Sequence, residues 1–209
     1  TSLKVAFYVG AVILIVCVIY TCVNVREMPP KEYAEYHGTS EEKEDHVNLI
    51  QLLRDAPGNY WRVALVQFFC WFAFLFMWNY TTGAIADTVW HTTDAKSADF
   101  QAAGDWVGIV FAIQSVASVL WAMVLPALER RFGLKAAYSV SLIIGGAGFA
   151  LVPFMPDQWT LFIPFALIGC AWAAMLALPF TIVTNALEGR PHMGTYLGLF
   201  NCSICLPQI

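Results

Sequence analysis

Six stretches of the chain contain no Asp, Glu, Lys or Arg: residues 5–23, 63–86, 106–128, 136–156, 158–187 and 191–209. A bilayer core about 30 Å thick is crossed by about 20 apolar helical residues, and a charged side chain at its centre costs about 2.5–3.5 kcal/mol. Five of the stretches reach that length or nearly so, and the chain ends within the sixth. The 26 charged side chains collect between them: 13 from Arg26 to Arg62, five from Asp87 to Asp105 and four from Glu129 to Lys135. Composition agrees, with 59% apolar residues and 12% charged, against about 45–50% and about 25% in soluble domains. The fold class that follows is an all-α, polytopic membrane protein. Six buried soluble helices in 209 residues would leave no amphipathic helices to cover them.

A net charge of −4 offers no basic surface for phosphate backbones, so nucleic acid is excluded as a partner. Disordered chains and disulfide-framed secreted modules are excluded by the same composition. The sequence contains no P-loop, no G-x-G-x-x-G after a strand, no H-E-x-x-H and no G-x-S-x-G, so the reading is not an enzyme and no cofactor is expected. The loop holding Asp87, His91, Asp94, Asp99 and Asp105 reads as solvated acidic surface, with no metal site. The cysteines at 17, 22, 70, 170, 202 and 205 lie in or beside apolar spans. Cys202 and Cys205 have redox or zinc spacing, but without a second pair they read as small packing residues.

Lys and Arg set the orientation. With residues 24–62 cytoplasmic, the inside carries Arg26, Lys31, Lys43, Arg54, Arg62, Arg130, Arg131, Lys135 and Arg190, and the outside only Lys4 and Lys96. That is the positive-inside pattern. Three parts follow: a transmembrane helix over 1–23, a central cytoplasmic loop over 24–62, and a partial bundle over 63–209. Its spans are about 63–86, 106–128, 136–156, 158–187 and 191–209. In the loop, Met28-Pro29-Pro30 should stop the first span. Thr39 with Glu42 fits a capping box, opening a short amphipathic helix through Val47, Leu49, Ile50, Leu52 and Leu53 that Pro57 and Gly58 end. Residue 1 is no initiator Met and Ile209 falls inside a span, so an internal piece of a larger membrane protein is expected.

Function at membrane depth falls to uncharged polar and aromatic groups. Gln67, Trp71, Phe74, Trp78 and Thr82 recur at steps of three or four and share a helix face, with Asn79 beside it. Tryptophan with amides suits a sugar: the indole stacks on C–H faces and amides exchange paired hydrogen bonds with hydroxyls. The plainer alternative places Trp78 in an interfacial belt and gives Gln67 a neighbouring helix to bond. Gln114, Ser118 and Trp121 form a shorter stripe, Trp172 and Pro179 share a span with a kink expected at the proline, and Asn201 is the deepest amide of the last span. The candidate substrate contacts are Gln67, Trp71, Trp78, Asn79, Gln114 and Asn201. Gly145, Gly146 and Gly148, and separately Gly194 and Gly198, read as close helix packing.

The run from Gln67 to Phe76 resembles the seventh helix of the sucrose-transporter-like branch of the major facilitator superfamily. Similar to that branch are also Gly104 to Gly108, Leu128 to Gly133, and Gly194 to Asn201 with Pro207, Gln208 and Ile209. The resemblance implies helices six to eleven of twelve, mostly the C-terminal half of the superfamily bundle. Arg130, Arg131 and Gly133 would then form its cytoplasmic loop motif. It implies proton-coupled symport of a sugar, disaccharide or hexose, by alternating access, with the N-terminal half, lipid and protons as partners. The neutral Met77-Trp78-Asn79-Tyr80 that follows the run is tolerated in bacterial members, which implies the bacterial inner membrane. A drug or metabolite exporter of the same superfamily, and a non-transporting scaffold or sensor, are the alternatives. The spans contain no carboxylate, so the proton carrier is expected in the first half.

Overall fold

The computed structural model describes residues 2–25, 32, 36 and 48–209. The stop at Met28-Pro29-Pro30, the Thr39–Glu42 capping box and Val47 lie outside the described residues. Every regular element among the described residues is helical, and five helices are long and apolar enough to cross a membrane. The protein is an integral membrane protein of the all-α class.

Residues 1–48 and 49–209 form two separate compact units. In the first, α1 spans Ser2–Asn24, and apolar side chains such as Phe7, Leu14 and Tyr20 are exposed along it. Its two polar side chains near the end fold back on their own helix, Thr21 Oγ1 donating to Cys17 O at 2.9 Å and Asn24 Nδ2 to Tyr20 O at 2.8 Å. In hydrocarbon such groups must find a partner locally.

The second unit opens with the short α2, Leu49–Arg54, where the amphipathic helix is expected. Pro57 precedes α3, Gly58–Val89, at a position that needs no N–H. Next comes α4, Ala98–Phe132, whose N-cap Ser97 accepts from Phe100 N at 3.1 Å. Asp99 in its first turn and Arg130 and Arg131 in its last complement the helix dipole. Gly133 alone joins α4 to α5, Leu134–Leu151, at φ 84°, a conformation that L side chains rarely adopt. A 3-10 turn over Val152–Phe154 ends α5 at Pro153, α6 spans Phe162–Ala186, and α7 Met193–Cys205 leads into a second 3-10 turn at Pro207. The helix α7 has 13 residues and lies within the sixth charge-free stretch.

Helix α6 is the hub. It packs most extensively on α5 and α4 and also touches α3 and α7. Glycines let it approach: a Cβ on Gly145 of α5 would collide with the Ala171 Cβ, and one on Gly148 would come within 2.7 Å of Pro164 O. Gly146, Gly194 and Gly198 face open space, so the packing role expected of the Gly194–Gly198 pair is not seen in this unit. Two cores stack along the bundle. One joins Tyr60, Leu125, Tyr138, Val183 and Tyr196, the other Phe74, Ile85, Ala103, Phe165 and Met175. The ends of α3, α4, α5 and α6 therefore alternate between the two levels. Val116, Val119, Leu120 and Met123 form an exposed apolar stripe on α4, tolerable where the medium is lipid.

Candidate functional site

The helical spacing of Gln67, Trp71, Phe74 and Trp78 turns all four toward α6. Three tryptophans meet there: Trp172 of α6 lies 5.9 Å from Trp71 and 5.5 Å from Trp78, centroid to centroid, and Trp71 lies 6.3 Å from Trp78. All three pairs are edge-to-face, the arrangement favoured by the ring quadrupoles. Phe74 completes the cluster at 4.9 Å from Trp172. The outer ring, Trp78, is 41% exposed. The inner one, Trp71, has its Nε1 buried without a hydrogen-bond partner. A buried donor left unpaired costs about 1–3 kcal/mol, so this N–H is poised for an acceptor. Helical spacing puts Trp71 and Trp78 on one face but does not join Trp172 to them, because spacing relates residues only within one helix.

Asn79 is exposed next to Trp78, its Nδ2 held by Leu75 O at 2.8 Å in the same helix. Gln67 is placed differently. It is 1% exposed, its Nε2 donates to Met175 O of α6 at 3.4 Å, and its Oε1 accepts from Tyr138 Oη of α5 at 3.1 Å. The structure thus gives Gln67 the neighbouring-helix bond of the plainer alternative.

The Gln114 stripe is used in a similar way. Ser118 Oγ donates to Gly169 O of α6 at 2.8 Å, and Trp121 Nε1 to Ser141 Oγ of α5 at 2.9 Å. Gln114 itself is 6% exposed, and its Oε1 is buried without a partner. Asn201 is exposed on α7, and its neighbour Phe200 belongs to the Tyr60 core rather than to the core of the tryptophans. The structure brings together Trp71 and Trp78, with Asn79 beside them, and does not bring Asn201 to that cluster. Among the described residues the buried polar side chains are Gln67, Thr81, Gln114, Ser118, Ser141 and Ser203, none of them charged.

At the Tyr60 end of the bundle, Arg130 and Arg131 are exposed in the turn that Gly133 closes. Arg130 Nε donates to Pro126 O at 3.1 Å, and Arg131 lies 5.3 Å from the Phe132 ring. Arg190 Nη1 donates to Asp55 O at 2.7 Å, and Tyr60 Oη to Tyr196 O at 3.0 Å.

The family model of the Major Facilitator Superfamily matches residues 1–209. Two curated relatives are sucrose transport protein SUT5 of Oryza sativa subsp. indica and its counterpart of Oryza sativa subsp. japonica, each 25% identical over 240 residues. The alignment covers the whole chain and 44% of each relative, so the chain spans less than half the length of the curated relatives it matches. No solved structure matches it.

Proposed function

Because the chain belongs to the major facilitator superfamily, we propose that it is part of a secondary active sugar transporter, working by alternating access. The superfamily is one of carriers, and the protein is accordingly not an enzyme. The observation that carries the sugar reading is the tryptophan cluster, with an exposed outer ring and an unpaired buried indole N–H. A sugar ring stacks its C–H face on Trp78, a hydroxyl accepts from Trp71 Nε1, and Asn79 is within the same exposed stretch of α3. Gln114, on α4 at the seam with α6, holds a second buried polar group without a partner. Asn201 and the Arg130–Arg131–Gly133 turn lie outside this cluster, the turn being the cytoplasmic loop motif of the bundle in this reading. The weak relation to sucrose transport proteins favours a disaccharide or hexose.

An exporter of lipophilic compounds is the competing reading. It draws on the commitment of Gln67, Ser118 and Trp121 to neighbouring helices, which leaves fewer polar groups for hydroxyls. Uptake of a labelled sugar panel by the whole transporter, with and without an uncoupler, separates the two. Sugar uptake that collapses with the uncoupler is the expected result; no uptake of any sugar, with efflux of an apolar dye, would reject the proposal.

In this reading the chain supplies most of the second half of the bundle, helices six to eleven of twelve, and the Tyr60 end faces the cytoplasm. Cysteine labelling should reach residues 49–56 and 130–134 from the cytoplasm and 90–100 from outside; the reverse pattern would overturn the orientation. The relatives come from rice, and they lend no support to a bacterial inner membrane.

Protons are the proposed coupling ion, carried by a group in the other half. Asp87, Asp94, Asp99 and Asp105 are all exposed, at the end of α3, in the loop after it and in the first turns of α4. Changing each to Asn should leave proton-driven accumulation within about twofold of wild type. A variant that still exchanges sugar but cannot concentrate it would put the coupling in this half instead.

A further inference from the structure

Gln67 and Pro179 lie on different helices, yet one bond links them chemically. Proline has no N–H, so Pro179 removes the donor that would serve the carbonyl four residues earlier in α6. That carbonyl belongs to Met175, and it is the group to which Gln67 Nε2 donates, at 3.4 Å. In hydrocarbon a backbone group freed by proline has to be satisfied by a neighbouring helix. The amide is itself oriented by Tyr138, whose Oη donates to Gln67 Oε1 at 3.1 Å. Gln67 and Tyr138 are buried at 1% and 5% exposure, and Met175 at 1%.

The position of this tie matters for the tryptophans. Gln67 is one turn before Trp71 on α3, and Met175 is one turn after Trp172 on α6. A bond between those two turns fixes the register of α3 against α6. That register is what sets Trp71 and Trp172 5.9 Å apart.

We propose that Gln67 is a positioning residue: its amide replaces the hydrogen bond that Pro179 deletes from α6, and so holds α3 and α6 in the register that assembles the three-tryptophan cluster. Pro179 is thereby the reason a polar side chain belongs at position 67, and Tyr138 orients that side chain. The role of the cluster in sugar binding rests on the function proposed above; the tie itself does not.

The test is a double-mutant cycle in the whole transporter, read by unfolding equilibrium in detergent and by near-ultraviolet circular dichroism of the tryptophans. Neither readout needs a substrate, so a wrong substrate class leaves the outcome intact. Gln67→Leu should lower the folding equilibrium constant about three- to tenfold, the range of interhelical hydrogen bonds in membranes, and weaken the tryptophan signal. In a Pro179→Ala background the alanine N–H serves Met175 O, and Gln67→Leu should then cost less than about twofold. Equal losses in the two backgrounds would overturn the proposal. If Pro179→Ala does not insert, Tyr138→Phe decides: it should cost clearly less in a Gln67→Leu background than in wild type, and an equal loss in the two would overturn the proposal. In transport, Gln67→Leu should raise KM more than it lowers the maximal rate.

Discussion

Gly169→Ala should leave little folded protein, although it adds a single methyl group. A Cβ at Gly169 would collide with Gln114 O, and it would lie 3.0 Å from the Ala117 Cβ and 3.2 Å from Ser118 N. Two of those three neighbours are backbone atoms of α4 and cannot rotate away. Relief requires α4 and α6 to separate, which breaks the Ser118 Oγ bond to Gly169 O at 2.8 Å and loosens the seam that α6 makes with α4. Overpacking costs about 1–3 kcal/mol where side chains can yield, and a backbone clash belongs at or above the top of that range. Gly146→Ala is the control, since nothing lies within 4 Å of its Cβ position. The yield of monodisperse protein and the thermal midpoint in detergent should fall steeply for Gly169→Ala and stay near wild type for Gly146→Ala. Matching behaviour of the two variants would mean that the α4–α6 crossing is looser than described.

Trp78→Ala should reduce apparent sugar affinity about thirtyfold while insertion and folding persist. Trp78 is 41% exposed, so its removal leaves no closed cavity, and the loss falls on the stacking surface. Covering a large apolar side chain of this kind is worth about 2 kcal/mol, which corresponds to about thirtyfold in a dissociation constant. Trp78→Phe should recover much of the loss, because a face for C–H stacking remains. Trp71→Phe should behave differently: it keeps a ring against Trp172 but removes the unpaired Nε1 donor, so binding of sugars should weaken with little change in stability. Sugar uptake with titrated substrate measures both. Unchanged affinity in Trp78→Ala, with normal surface expression, would show that substrate binds elsewhere in the bundle.

Part of this protein is legible directly from its residues. Placing charge in a bilayer costs so much per side chain that the membrane-crossing parts of Gly58–Val89, Ala98–Phe132, Leu134–Leu151 and Phe162–Ala186 stand out as gaps between charges. The helical period likewise places Gln67, Trp71, Phe74 and Trp78 on one face. Helix ends are less legible. The charge-free stretch 136–156 runs past Leu151, where Pro153 turns the backbone into a 3-10 helix, and α7 is only 13 residues long.

What sequence alone could not assign is the partner of each polar group, because that depends on how helices cross. Gln67 and Trp71 share a face and differ in fate: the Gln67 amide is bound by α5 and α6, whereas the Trp71 N–H is left unpaired. Neighbouring glycines differ in the same way, Gly145 lying against Ala171 and Gly146 against open space. Trp172 joined the site only through the packing of α6 on α3. The sequence alone determined that the chain enters the membrane and which residues share each helical side, because burial cost and helical period act on a single helix. Tertiary structure decided which polar groups are consumed in holding the bundle and which remain for a ligand, because a hydrogen bond between helices is made or missed within a fraction of an ångström.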